Sequence, residues 1–134
     1  MKAETRLFET VKSELLQRYP TGWGGVAGAY LDTDEIVIGI SPDFPNAGSS
    51  VCMELGCMLE AAKMNARITH TLCLVREDEN APFKVLSPCG ICQERLALWG
   101  GDVLCALTTK DVDRIDFAEL RSLQPHHWLE AYQK

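Results

Sequence analysis

Apolar residues recur at helical spacing in some stretches and gather into short runs in others. From Thr5 to Tyr19, Leu7, Phe8, Val11, Leu15 and Leu16 share one face with Lys and Glu opposite, which predicts an amphipathic packing helix. Pro20-Thr21-Gly22 stops it. Val26 to Leu31 and Glu35 to Ile40 read as two strands joined through Asp32-Thr33-Asp34 in a hairpin. Gly24, Gly25, Ala27, Gly28 and Ala29 leave the first strand nearly bare, so a helix is expected to lie close on it.

Ser41 to Ser50 is a loop rich in Pro, Gly, Asn and Ser. Val51 to Asn65 then places Val51, Leu55, Met58, Leu59 and Ala62 on a helical stripe, with Ser49 or Ser50 as the expected N-cap. Thr71 to Arg76 is a nearly continuous apolar run, as in a central strand, followed by an acidic loop from Glu77 to Phe83. A helix over Cys89 to Trp99 opens at Pro88 and closes at Gly100-Gly101. Val103 to Leu107 reads as a buried strand, and Phe117 to Leu123 as a last helix ended by Pro125. Strands alternating with helices after an antiparallel hairpin predict an α/β sandwich with a mixed sheet. No linker or internal repeat divides residues 1–134, so a single domain is expected.

Composition narrows the function. The 46% apolar and 24% charged residues are those of an ordinary globular protein. No run approaches the roughly 18 apolar residues of a membrane span, and the amphipathic start lacks a signal peptide's continuous apolar core. A cytoplasmic protein is expected. A net charge of −6 with no basic run disfavours a nucleic-acid groove and favours a small-molecule substrate. Six cysteines permit three disulfides, but without a secretory signal metal binding or free buried thiols is the better reading.

The chemistry gathers in a split motif: Cys52-Met53-Glu54, then Pro88-Cys89-Gly90-Ile91-Cys92. Cys89 and Cys92 are three apart, so at about 100° per residue their thiols share one face at a helix start. Free backbone amides there favour thiolate. With Cys52 they make three ligands, the number a catalytic zinc takes while leaving a fourth position for water. Glu54 stands two residues beyond a ligand, placed to move protons between that water and a leaving amine. The pattern matches the signature of zinc deaminases. The alternative, a structural four-cysteine site, needs a fourth thiol. Cys57 is nearest but lies about 140° around the helix from Cys52, and Cys73 and Cys105 sit inside apolar strands. Three thiolates leave a zinc site at net −1, and Arg95, three residues beyond Cys92, is the candidate to offset it.

On these residues the chain resembles the cytidine deaminase family, blasticidin S deaminases among them. Val26-Ala27-Gly28-Ala29 resembles the family's small-residue first strand, and Leu120 to Leu123 with Pro125 and Trp128 resembles its terminus. The resemblance implies a three-layer α/β/α sandwich around a five-stranded mixed sheet. It also implies a homotetramer whose neighbours help close each site. By it, Cys52, Cys89 and Cys92 hold zinc, Glu54 shuttles protons, and a free cytosine nucleoside or close analogue is deaminated. A modified pyrimidine such as blasticidin S, or a non-catalytic relative that keeps the zinc, are the alternatives. The chain departs from the family around the substrate. Ser41-Pro42-Asp43-Phe44 stands in place of Asn-x-Glu-Asn, so Ser41 and Asp43 are the candidates to hold the substrate's hydroxyls, or else simply cap a turn. Met53 replaces the usual Ala and would shrink the pocket; Leu55 replaces Arg, as in blasticidin S deaminase. Trp23 is the nearest aromatic to the first strand. Trp128 with His126 and His127 either lines a neighbour's pocket or is two exposed histidines ahead of a packed Trp.

Overall fold

The bare first strand lies between two helices, one on each face. The protein, described here by a computed structural model over residues 2–133, buries all eight positions of β1 (Gly24–Leu31). On one face Gly28 meets α1 (Ala3–Arg18), where an added Cβ would stand 2.4 Å from Val11 Cγ2. On the other, Ala27 and Ala29 join the core beneath α2 (Met53–Lys63). The alternation is the strand's own period of two.

β1 forms the expected antiparallel hairpin with β2 (Ile36–Gly39), Ala27 opposite Gly39. Its other edge pairs antiparallel with β3 (Ile68–Arg76). The far edge of β3 is shared. β4 (Lys84–Leu86) pairs antiparallel with Cys73 to Val75, and β5 (Leu104–Ala106) pairs in parallel with His70 and Thr71. β6 (Phe117–Glu119) closes the path antiparallel to β5. The result is a mixed sheet in the order β2-β1-β3-β5-β6 with β4 beside it, six strands where five were expected. The helix α3 (Gly90–Leu96), continued by a 3-10 turn to Trp99, lies on the α2 side and ends at Gly100 with φ 104°. This is a three-layer α/β/α sandwich. No helix of the described residues is long and apolar enough to cross a membrane.

The structure departs from expectation at five points. The segment from Phe117 begins as a strand, with helix α4 only at Leu120–Leu123, because Phe117 and Ala118 complete the ladder of β5 and Phe117 packs edge-on to His70. β4 lies just after the expected acidic loop, too short to show a period. On α1, Leu7, Val11 and Leu15 are fully buried, whereas Leu16 is 41% exposed. On α2 the buried stripe is Glu54, Cys57, Met58 and Ala61, while Leu59 faces solvent. The N-cap of α2 is Cys52, in extended conformation, and neither Ser49 nor Ser50.

Candidate metal centre

Two helix starts bring the thiols together. Cys52 is the N-cap of α2, Cys89 the N-cap of α3, and Cys92 lies in the first turn of α3. Their Sγ atoms all lie within 4.8 Å of one another. Tetrahedral zinc with bonds near 2.3 Å spaces its sulfurs about 3.8 Å apart, so this donor set fits the ion in number, softness and span. No other trio of His, Cys, Asp or Glu among the described residues is so grouped. All six cysteines are free. Cys57 points away to the Val37 carbonyl, and burial pushes its thiol up to about 12. Cys73 and Cys105 are buried core thiols, likewise raised by burial.

Electrostatics separate the three ligand candidates. Burial raises Cys52 and Cys92 above the ordinary thiol value. Burial also acts on Cys89, but the backbone N–H groups of Cys92 and Ile91 and its two thiol neighbours outweigh it and hold Cys89 below that value. A cation among the sulfurs would favour thiolate at all three.

Glu54 is 7% exposed, on the inward face of α2. Burial raises its carboxyl above the usual carboxylate range, opposed in part by its own backbone N–H. With Cys52 and Cys89 it lines a cavity of about 320 Å³. Trp23, Val51, Met53 and Leu86 supply apolar walls, and Ser41 and Ser87 supply hydroxyls. Among the described residues no Lys, Arg or His lines it.

The remaining candidates are dispersed. Ser41 and Met53 reach the cavity, whereas Asp43 is exposed outside its lining. Arg95 is exposed on α3, also outside the lining. Trp128 is 61% exposed rather than packed, and its Nε1–H donates to Glu94 Oε2 at 2.8 Å. His127 Nε2 lies 2.7 Å from the other Glu94 oxygen, so one carboxylate on α3 fastens the C-terminal turn. Leu86, Ser87 and Glu94 carried no motif of their own. Adjacency to Pro88-Cys89 was the only signal for Ser87, whose Oγ accepts from Thr108 N–H at 2.8 Å.

Comparison with solved structures finds cytidine deaminases. The enzyme from Bacillus anthracis is 46% identical, with 98% of this chain and 93% of that one covered and a TM-score of 0.93. The cytidine deaminase from Mycobacterium tuberculosis is 19% identical, with 90% of this chain and 96% of that one covered and a TM-score of 0.63. The one from Burkholderia pseudomallei is 16% identical over 96% and 100%, with a TM-score of 0.69. At such identities these last two share the fold. No protein-family model and no curated protein matches the chain.

Proposed function

The chain belongs to the cytidine deaminase family, hydrolases of C–N bonds in cyclic amidines, and from that membership we propose a zinc-dependent deaminase of a free cytosine nucleoside or close analogue. The observation that carries the proposal is the cluster of three thiols within 4.8 Å of one another, two of which, Cys52 and Cys89, line the same cavity as the buried carboxylate of Glu54. Cys52, Cys89 and Cys92 would hold the zinc. When bound, the ion supplies the Lewis acidity that makes water nucleophilic at neutral pH. Glu54, with its proton affinity raised by burial, takes the proton that this water gives up and returns it to the departing amine. A C–O bond forms, the exocyclic C–N bond breaks, and ammonia leaves.

The cavity's lining supports an uncharged substrate over a phosphorylated one, since no cationic side chain among the described residues lines it. In this reading Ser41 serves a substrate hydroxyl, Met53 bounds the ring and Arg95 offsets the charge of the thiolates from outside the lining, whereas the same geometry lends no support to a substrate role for Asp43. A modified pyrimidine such as blasticidin S is the second reading, favoured by Leu55, the residue that the resemblance to blasticidin S deaminase places after the glutamate. The buried carboxylate counts against a non-catalytic zinc protein, which has no use for it.

The same proposal makes the protein one domain working in the cytoplasm as a homotetramer. Leu59, Ile91 and Leu98, each at least 60% exposed, support burial against other copies. Sedimentation at four chain masses is expected, and a monomer would sink that part. For the activity, zinc content is measured alongside ammonia release from cytidine, deoxycytidine, cytosine and blasticidin S. About one zinc per chain with turnover of a nucleoside is expected. Zinc without turnover of any of the four would overturn the activity.

A further inference from the structure

β2 ends at Gly39, pressed against the first turn of the helix that starts at Cys52. A Cβ on Gly39 would stand 2.0 Å from Met53 O, 3.1 Å from Cys57 Sγ and 3.2 Å from Cys57 N. Two of these are backbone atoms of α2, which cannot swing aside as a side-chain end can. The helix answers with its own glycine. A Cβ on Gly56 would lie 3.3 Å from Gly39 Cα and 3.9 Å from Ile38 O. Strand and helix therefore cross with backbone close against backbone at Gly39 and Gly56.

The place of that crossing matters. Met53 sits between Cys52 and Glu54, so Gly39 touches the carbonyl of the residue between a candidate ligand and the candidate proton carrier. Cys89 and Cys92 ride on α3, a separate element. Any lift of the first turn of α2 moves Cys52 and Glu54 relative to those two sulfurs. We infer that Gly39 and Gly56 are positioning residues for the reaction. They set the depth at which α2 lies on the sheet, and so the fit of Cys52 to its partner thiols and of Glu54 to the cavity. The inference rests on the metal-centre reading above.

Gly28 supplies the contrast. It lies on the same sheet, but a Cβ there would meet chiefly the side chains of Val11 and Leu7 on the opposite face. Gly28→Ala thus strains the fold without touching α2. If Gly39 served packing alone, Gly39→Ala would behave in the same way.

The test compares Gly39→Ala, Gly56→Ala and Gly28→Ala with the parent protein. Zinc affinity is read by chelator competition, thiolate geometry by the absorption of the cobalt(II)-substituted protein, and folding by thermal midpoint. Gly39→Ala is expected to weaken zinc on the order of 10–100-fold, as disturbed support of a metal site does. It should also alter the thiolate-to-cobalt bands and lower kcat on the order of 100-fold, more than it raises KM. Gly56→Ala, with the looser contact, shifts the same readouts less. Gly28→Ala lowers the midpoint and leaves affinity and bands unchanged. Gly39→Ala and Gly56→Ala with lowered midpoints but parental affinity and bands would overturn the inference. Should Gly39→Ala not fold, Gly56→Ala decides by the same criterion. A parent protein without thiolate-to-cobalt bands sinks the metal-centre reading itself, which is a different failure from unchanged variants of a metal-binding parent.

Discussion

Cys52 Sγ and Cys89 Sγ stand 3.3 Å apart although 37 residues separate them in the chain. Each caps a different helix, so the sheet beneath, and no local loop, holds them in register. Such a pair is costly to keep as two thiolates without a cation between them. Replacing Cys52, Cys89 or Cys92 by Ser is expected to take zinc from about one per chain to near zero after dialysis. Cys57→Ala keeps the zinc and costs roughly 0.5–1.5 kcal/mol of stability, the scale of one small buried group. Metal analysis and denaturant unfolding of the four variants check this. Zinc retained by Cys52→Ser, or lost by Cys57→Ala, would point to a different ligand set.

Met53 lines the cavity, and its Sδ lies where a side chain on Gly25 would have to go. Met53→Ala opens this wall while sparing the thiols. The ratio of kcat/KM for blasticidin S over cytidine is expected to rise roughly tenfold, within the range that one apolar pocket contact discriminates. Zinc content stays unchanged. An unaltered ratio would remove Met53 from substrate selection.

Glu94 ties His127 and Trp128 to α3 with one carboxylate. Glu94→Ala should speed hydrogen exchange at the Trp128 indole N–H and across residues 127–132, with α3 unaffected. Exchange as slow as in the parent protein would show that the C-terminal turn is held by something other than this carboxylate.

His70 stands between the rings of Tyr30 and Phe117, 5.8 Å from each, with Thr69 Oγ1 2.8 Å from its Nδ1. Burial lowers its proton affinity below the ordinary value of 6.5, with Glu4 opposing. The unfolded chain therefore takes up this proton at higher pH than the folded one. Stability from this residue is whole above about pH 6.5 and declines as the pH falls from there toward the lowered folded value. His70→Phe removes the effect. Its thermal midpoint, relative to the parent's, is expected to improve as the pH is lowered from about 7.5 to about 5. A constant difference across that range would contradict the assignment.

What the amino-acid pattern revealed follows from the range of its signals. The hairpin, the central strand β3 and the helix start at Cys89 came from local spacing and turn residues, and they recur in the structure. The stripe on α2 did not. Glu54 and Cys57 turn inward there, so a count of apolar residues alone rotates the helix the wrong way. β4 and β6 span three residues each and owe their existence to partners on other strands, Val85 to Leu74 and Ala118 to Cys105 among them. The cavity draws Trp23, Met53 and Leu86 from separate parts of the chain, and no local pattern records that meeting.

Glu54→Gln tests the central claim most directly, because it removes the titrating oxygen and keeps the shape. Ammonia release from cytidine and zinc content are measured on the same preparations. The account predicts about one zinc per chain in both proteins, with kcat lowered on the order of 100- to 10,000-fold in the variant. A zinc-loaded Glu54→Gln protein that releases ammonia at the parent rate would contradict it.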